Sequence, residues 1–344
     1  MAPAAAPLCW PMMVASHLPS AGSGRWDKRS VTSAPGLSGS DSRLFTVKRI
    51  VGISAEGLPM VSEDTIGSII ARAVGLQIAA ADSHLGWRGG RIHDGVHQAR
   101  KALRRARAVL AMVAPRLGDA VPAIDDELAA IGRSLSSLRD AMAHVETLDR
   151  LLEHAGDDAA LLRRCRRVAV AARVAAAQAS VNDDPGLARR RARLAQVQIA
   201  LHELPWSSLQ AGDLELALTQ AIRRAHKAHA RARRKGRDSD WHRWRRRIRV
   251  LVHARDVLVA AGIDLAAPTA AQLRLAAALG FAQDLAVLKR DGVAQGHLAS
   301  ADRVALEHLL KHRLKCARAA VERRARAMRD SKRTDAAHAV LSAP

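Results

Sequence analysis

Apolar residues recur at spacings of three and four beyond Ser62, in stretches near 64–86, 91–114, 122–155, 157–180, 184–203, 212–236, 239–262, 269–290 and 298–330. That period gathers the apolar positions of each stretch on one face of a helix, so the pattern predicts about nine helices. Gly118, Gly156, Gly236 and Gly262 fall where helices should stop. Asp184 before Pro185 reads as an N-cap followed by proline at the first helical position. The connections are short, which makes consecutive helices antiparallel neighbours and the architecture one of bundles.

Before this, from Met1 to about Val61, Pro, Gly and Ser dominate without a sustained period. Such a segment cannot offset the entropy of ordering, so residues 1–61 are expected to form a disordered extension, 62–333 the helical domain and 334–344 a disordered tail. The uncharged start is broken by Pro3, Pro7, Pro11 and Pro19 and has no basic region ahead of it, unlike a secretory signal. No apolar run approaches the roughly 20 residues of a spanning helix, and the Ala-rich stretch Val168–Ala179 carries Arg173 at its middle. A soluble, cytoplasmic protein without membrane insertion is expected. The last stretch, with Val304, Leu306, Leu309, Leu310, Leu314 and Val321, reads as an amphipathic bundle helix.

Composition agrees with the pattern. Of 344 residues 49% are apolar, enough for a real core, but only 2% are aromatic, and the abundance of Ala, Leu and Arg favours helix over sheet. Trp206, Trp241 and Trp244 are expected to anchor helix packing and Trp87 to close a helix end. Cys9, Cys165 and Cys316 lie far apart, so neither a disulfide framework nor a thiolate zinc site is suggested.

Charge changes the picture most. The chain has 55 Lys and Arg against 33 Asp and Glu, a net charge of +22, which makes an anion the expected partner. Two basic stretches echo each other: His97 precedes Arg100, Arg104, Arg105 and Arg107, and 145 positions on His242 precedes Arg245, Arg246 and Arg249. Each is followed after a further 42 or 43 positions by an aspartate, in Leu138-Arg139-Asp140 and Ala282-Gln283-Asp284, so the chain reads as a duplication. On a helix, His97, Arg100, Arg104 and Arg107 share an arc of about 80°, and His242, Arg245, Arg246 and Arg249 one of about 100°. Each stripe borders the apolar face and offers a ladder of guanidinium forks suited to phosphate oxygens. From Arg223 to Arg255 there are 14 basic residues and two acids. Like charges one turn apart destabilise a helix, which an anion would relieve. Asp140 and Asp284 are expected to pair with the stripes and hold them in register.

Catalytic patterns are missing. There is no Gly-x-Ser-x-Gly elbow, no Walker A loop, no dinucleotide fingerprint and no Glu-x-Glu-x-Lys signature. His93 and His97 have zincin spacing, but Asp94 stands where that motif has a glutamate, and His308 with His312 has no evident third ligand. The expectation is a binding protein without catalytic residues, metal or cofactor.

The stretches VHQARKALRRARAVL with Leu138-Arg139-Asp140, and WHRWRRRIRVLVHARDVL with Leu279-Gly280 and Gln283-Asp284, resemble the CHAD family, the conserved histidine α-helical domain. The resemblance covers about residues 62–330. It implies an all-α fold of two antiparallel four-helix bundles related by pseudo-twofold symmetry, here about 62–203 and 204–333. It also implies a basic channel between them that binds inorganic polyphosphate and brings members to polyphosphate granules. Carried over by position, the binding residues are His97, Arg100, Arg104, Arg105, Arg107 and Arg139, with His242, Arg245, Arg246 and Arg249. The sequence departs from the second motif at Val252 and His253, where the family continues with a basic residue and then Tyr. The runs Arg163-Arg164, Arg166-Arg167 and Arg189-Arg190-Arg191 either add to the channel or coat the surface. Nucleic acid is the competing polyanion, giving an alternative reading as a nucleic-acid-binding or nucleoid-associated protein. The shortage of aromatics disfavours single strands, which bind largely by stacking.

Overall fold

The structure, a computed structural model, describes residues 65–292 and 298–341. They form ten α-helices and no strand: α1 Ile66–Leu85, α2 Ile92–Leu117, α3 Ala120–Ser134, α4 Ser136–Leu152, α5 Ala159–Asp183, α6 Ala188–His202, α7 Ala211–Lys235, α8 Asp238–Ala260, α9 Ala270–Val287 and α10 Ser300–Leu341. The extension expected over 1–61 lies outside the described residues. α10 continues past the 333 limit assigned from sequence, through Leu341. Among the described residues no helix is long and apolar enough to cross a membrane.

The helix ends show where local sequence decides. Gly118 and Gly236 follow α2 and α7 with φ of 85° and 69°, a left-handed region that a side chain disfavours. The stretch 122–155, read as one helix, is two. At the end of α3 the backbone carbonyls find side chains instead of the next turn: Ser134 Oγ donates to Ile131 O, Arg100 Nη1 to Gly132 O and Arg190 Nη2 to Ser134 O. With those acceptors occupied the helix breaks at Leu135, which is fully buried along with Leu138. Asp184 is the expected N-cap before proline, but of a short 3₁₀ turn ahead of α6. Pro185 opens that turn, and the buried Asp184 carboxylate accepts from the backbone N–H of Arg189 and Arg190, capping α6 from four residues before its start.

Packing follows hairpins. α1 packs on α2 and α7 on α8, while α4 packs on α5 and α9 on α10. The shift of 145 positions that superposes the two histidines carries the start of α1 onto the start of α7. Two apolar clusters hold these pairs together. The larger takes Ile78, Val96, Leu103, Leu110 and Leu128 from the first half and Leu218, Trp244, Leu251, Leu275 and Val321 from the second. The smaller joins Leu148, Leu151 and Leu162 to Leu285, Leu306 and Leu310. Each such side chain contributes about 1.5–3 kcal/mol on burial, so the core spans both halves of the sequence. Of the three tryptophans expected as packing anchors, Trp206 and Trp244 are buried and Trp241 is partly buried against the core; Trp206 Nε1 donates to Leu201 O at 2.7 Å. Trp87 sits just past α1 with His84 against its edge and Arg91 over its ring. On α10, Leu306, Leu310 and Val321 face inward, whereas Val304 is exposed.

Candidate anion-binding site

Four helices pack in a closed cycle: α2 on α4, α4 on α9, α9 on α8 and α8 back on α2. Neither diagonal pair, α2 with α9 or α4 with α8, packs extensively. The polar residues that line the inner side of these helices therefore meet one another. The apolar side of α2 (Val96, Leu103, Leu110) and of α8 (Ile248, Val252) goes to the core, which leaves the adjoining basic stripe on each helix bordering the ring.

Arg100 and Arg104 of α2, Arg139 of α4, and Arg245 and Arg249 of α8 form one electrostatic cluster. Burial pushes the Arg104 guanidinium down to about 8, and Arg249, Arg100, Arg245 and Arg139 add to the push. Arg249 is held down to about 10, first by burial and then by Arg245, with Arg139 and Arg100 contributing. Arg100 and Arg245 are lowered in the same way, by burial and by Arg139. A guanidinium is too basic to shed its proton readily, so this arrangement is a concentration of positive charge that a counter-anion relieves. The Nε atoms of Arg100, Arg104 and Arg245 and Nδ1 of His97 are buried without a hydrogen-bond partner. An unmet buried donor costs about 1–3 kcal/mol, a cost that the oxygens of a bound anion would remove.

Acids are present but outnumbered. Arg139 Nη1 lies 3.0 Å from Glu146 Oε2 without hydrogen-bond alignment. Asp284 faces Arg245 and Arg139, with burial raising its pKa and those cations opposing the rise. Asp140 acts on Arg100. Neither aspartate makes an ion pair within 4.0 Å among the described residues, so the expected pairing is a longer-range attraction.

The ten residues singled out from sequence separate into groups. His97, Arg100, Arg104, Arg139, Arg245 and Arg249 come together. The His97 imidazole is held below its ordinary pKa by burial and then by Arg139. His242 lies beside them, its Nδ1 3.0 Å from Gln283 Oε1, held low by burial and by Arg245 and Arg246. Arg107 turns to α3, where Nε and Nη2 donate to Asp125 at 2.7 and 2.8 Å. Arg105 reaches Asp256 at 2.5 Å, and Arg246 is exposed.

The sequence profile described as the CHAD domain matches residues 72–290, most of the chain. The chain belongs to the CHAD family. Two solved structures share the fold: PptA from Streptomyces chartreusis, with 21% identity over 76% of this chain and 99% of that one at a TM-score of 0.56, and the CHAD domain from the plant Ricinus communis, with 19% identity over 79% and 96% at 0.53. No curated protein sequence matches significantly. All ten candidate residues lie inside the CHAD match.

Within this CHAD domain two further side chains belong to the cluster. His253 follows Arg249 by one turn, with Nε2 3.5 Å from Arg249 Nη2, and is pushed down to about 3 by burial, then by Arg249, Arg104, Arg105 and Lys101. Lys101 follows His97 by one turn and is lowered by burial and by Arg105. Helical spacing was the signal for both. The other arginine runs are largely engaged elsewhere: Arg164 pairs with Asp302, Arg166 with Asp149, Arg190 with Asp184 and Arg191 with Asp82. Their partners lie on or beside α1, α4, α6 and α10. Among the described residues no three His, Cys, Asp or Glu side chains gather as a metal site requires.

Proposed function

We propose that this CHAD domain binds inorganic polyphosphate between α2, α4, α8 and α9, holds it without hydrolysing it, and thereby recruits the protein to polyphosphate granules in the cytoplasm. The observation that carries the reading is the convergence of Arg100, Arg104 and Arg139 with Arg245 and Arg249, from opposite halves of the sequence, with buried guanidinium donors unmatched. A flexible anion with oxygens on every unit satisfies several forks in succession. The matching hairpins α1–α2 with α7–α8 and α4–α5 with α9–α10 support two four-helix units about a pseudo-twofold axis, the ring lying at their junction. Five guanidiniums also disfavour the divalent cations on which phosphoryl transfer depends.

The test is competition of long-chain polyphosphate against duplex DNA and RNA, at matched phosphate and about 0.15 M salt, where screening extends about 8 Å. Polyphosphate should win. Preference for either nucleic acid would assign the ring to that polymer instead. Incubation with Mg²⁺ or Mn²⁺ should release no orthophosphate; release that stops in Asp284→Ala with binding intact would make the domain an enzyme.

A further inference from the structure

Outside the ring, the outer side of the α7–α8 hairpin carries a second row of cations. On α7, Arg224, Lys227, Arg231 and Arg234 share an arc of about 80° and are all exposed. Across the seam, α8 exposes Arg243, Arg246 and Arg247. The helices are antiparallel across Gly236 and Arg237, and Arg231 Nε donates to Asp240 Oδ1 at 2.6 Å near that connection. Farther along the seam Arg224 and Arg247 are close enough to repel: burial and then Arg224, Arg246 and Arg243 lower the Arg247 guanidinium. The two acids of this stretch are committed, Asp240 to Arg231 and Asp238 to Arg318.

Three considerations separate this row from an ordinary solvated face. Apart from Arg231, its members have no carboxylate partner among the described residues, whereas the arginines of α5 and α6 mostly do. It is one-sided: the 145-position shift places Ala79, Asp82, Gln98 and Ala102 in the first half where Arg224, Lys227, Arg243 and Arg247 stand in the second. And it connects to the ring, because Arg246 acts both on His242, beside Arg245, and on Arg247.

Building on the ring as the polyphosphate site, we propose that a long polyphosphate chain leaves the ring past Arg246 and continues along Arg224, Lys227, Arg243 and Arg247, making this ridge the determinant of long-chain preference. Short anions fill the ring alone. Only long chains bridge both surfaces, and each added phosphate contact releases counterions and steepens the salt dependence of affinity.

Binding of tripolyphosphate and of long-chain polyphosphate to the full chain, each over a salt series, tests this with Arg224→Gln/Arg243→Gln/Arg247→Gln and, separately, Arg104→Gln/Arg249→Gln. The ridge variant should bind tripolyphosphate like the unaltered protein, yet lose roughly tenfold in long-chain affinity at about 0.15 M salt and show a shallower salt slope. The ring variant should lose both ligands. Unchanged long-chain affinity and slope in the ridge variant would overturn the ridge while leaving the ring intact. If duplex DNA binding fell instead, with polyphosphate unaffected, the ridge would belong to nucleic acid and the proposal would fail. Absence of polyphosphate binding by the unaltered protein would overturn ring and ridge together.

Discussion

Arg104 expresses the tension on which the site depends. Four guanidiniums and a buried position disfavour its charge in the free protein. Replacing it with Met removes the repulsion and keeps the stem packed, so Arg104→Met should raise the unfolding free energy of the ligand-free protein by about 1–3 kcal/mol. The same variant should bind polyphosphate at least about tenfold more weakly. Urea melts and a binding isotherm check both; a destabilised variant with unchanged binding would contradict the placement of Arg104. The histidines add a pH dependence. An unfolded histidine takes up its proton near 6.5, but His253 resists until about 3, so in that interval the unfolded chain binds more protons. Stability should fall as the pH drops from about 6.5 toward 3, with His97 and His242 contributing in the same direction. His253→Asn should flatten this decline between about pH 7 and pH 5. Urea melts with equal slopes in the variant and the unaltered protein would remove His253 from the cluster. At this scale the stripes were legible because i, i+3, i+4 spacing fixes which residues share a face. The fates of Arg105 and Arg107 were not, since Asp256 and Asp125 come from other helices.

Between elements, close approach is set by residues without side chains. A Cβ on Gly67 of α1 would overlap the carbonyl oxygen of Trp206, and one on Gly95 of α2 that of His84. Gly67→Ala should therefore cost about 1–3 kcal/mol although alanine is the better helix former. A denaturant midpoint equal to or above that of the unaltered protein would contradict the packing of α1 against the Trp206 turn. The helices themselves were readable from apolar period and glycine punctuation. The break at Leu135 was not, because the groups that take the α3 carbonyls include Arg100 and Arg190, which arrive from distant parts of the chain. Asp184 was identified as a cap, but its effect on α6 depends on a left-handed turn through Gly186 and Leu187 that proline at the first position did not suggest.

For the whole molecule, a shared core and a shared charge cluster have one consequence: the two halves of the sequence are joined at the ring proposed as the binding site. Ile78 and Leu103 share a cluster with Trp244 and Leu275, just as Arg104 shares one with Arg249. The family was legible in the repeated histidine–arginine marks. The facing of one stripe onto the other depends on how α2 meets α8, which no local pattern encodes. Polyphosphate affinity at about 0.15 M salt therefore tests the central claim most directly, compared among the unaltered protein, Arg104→Glu/Arg249→Glu and a control, Arg323→Glu/Arg326→Glu, on the exposed face of α10. Both variants change the net charge equally. A loss of about 100-fold or more in the ring variant, with only a few-fold loss in the control, is the expected result. Equal losses in the two would contradict a defined site and leave only attraction to a basic surface.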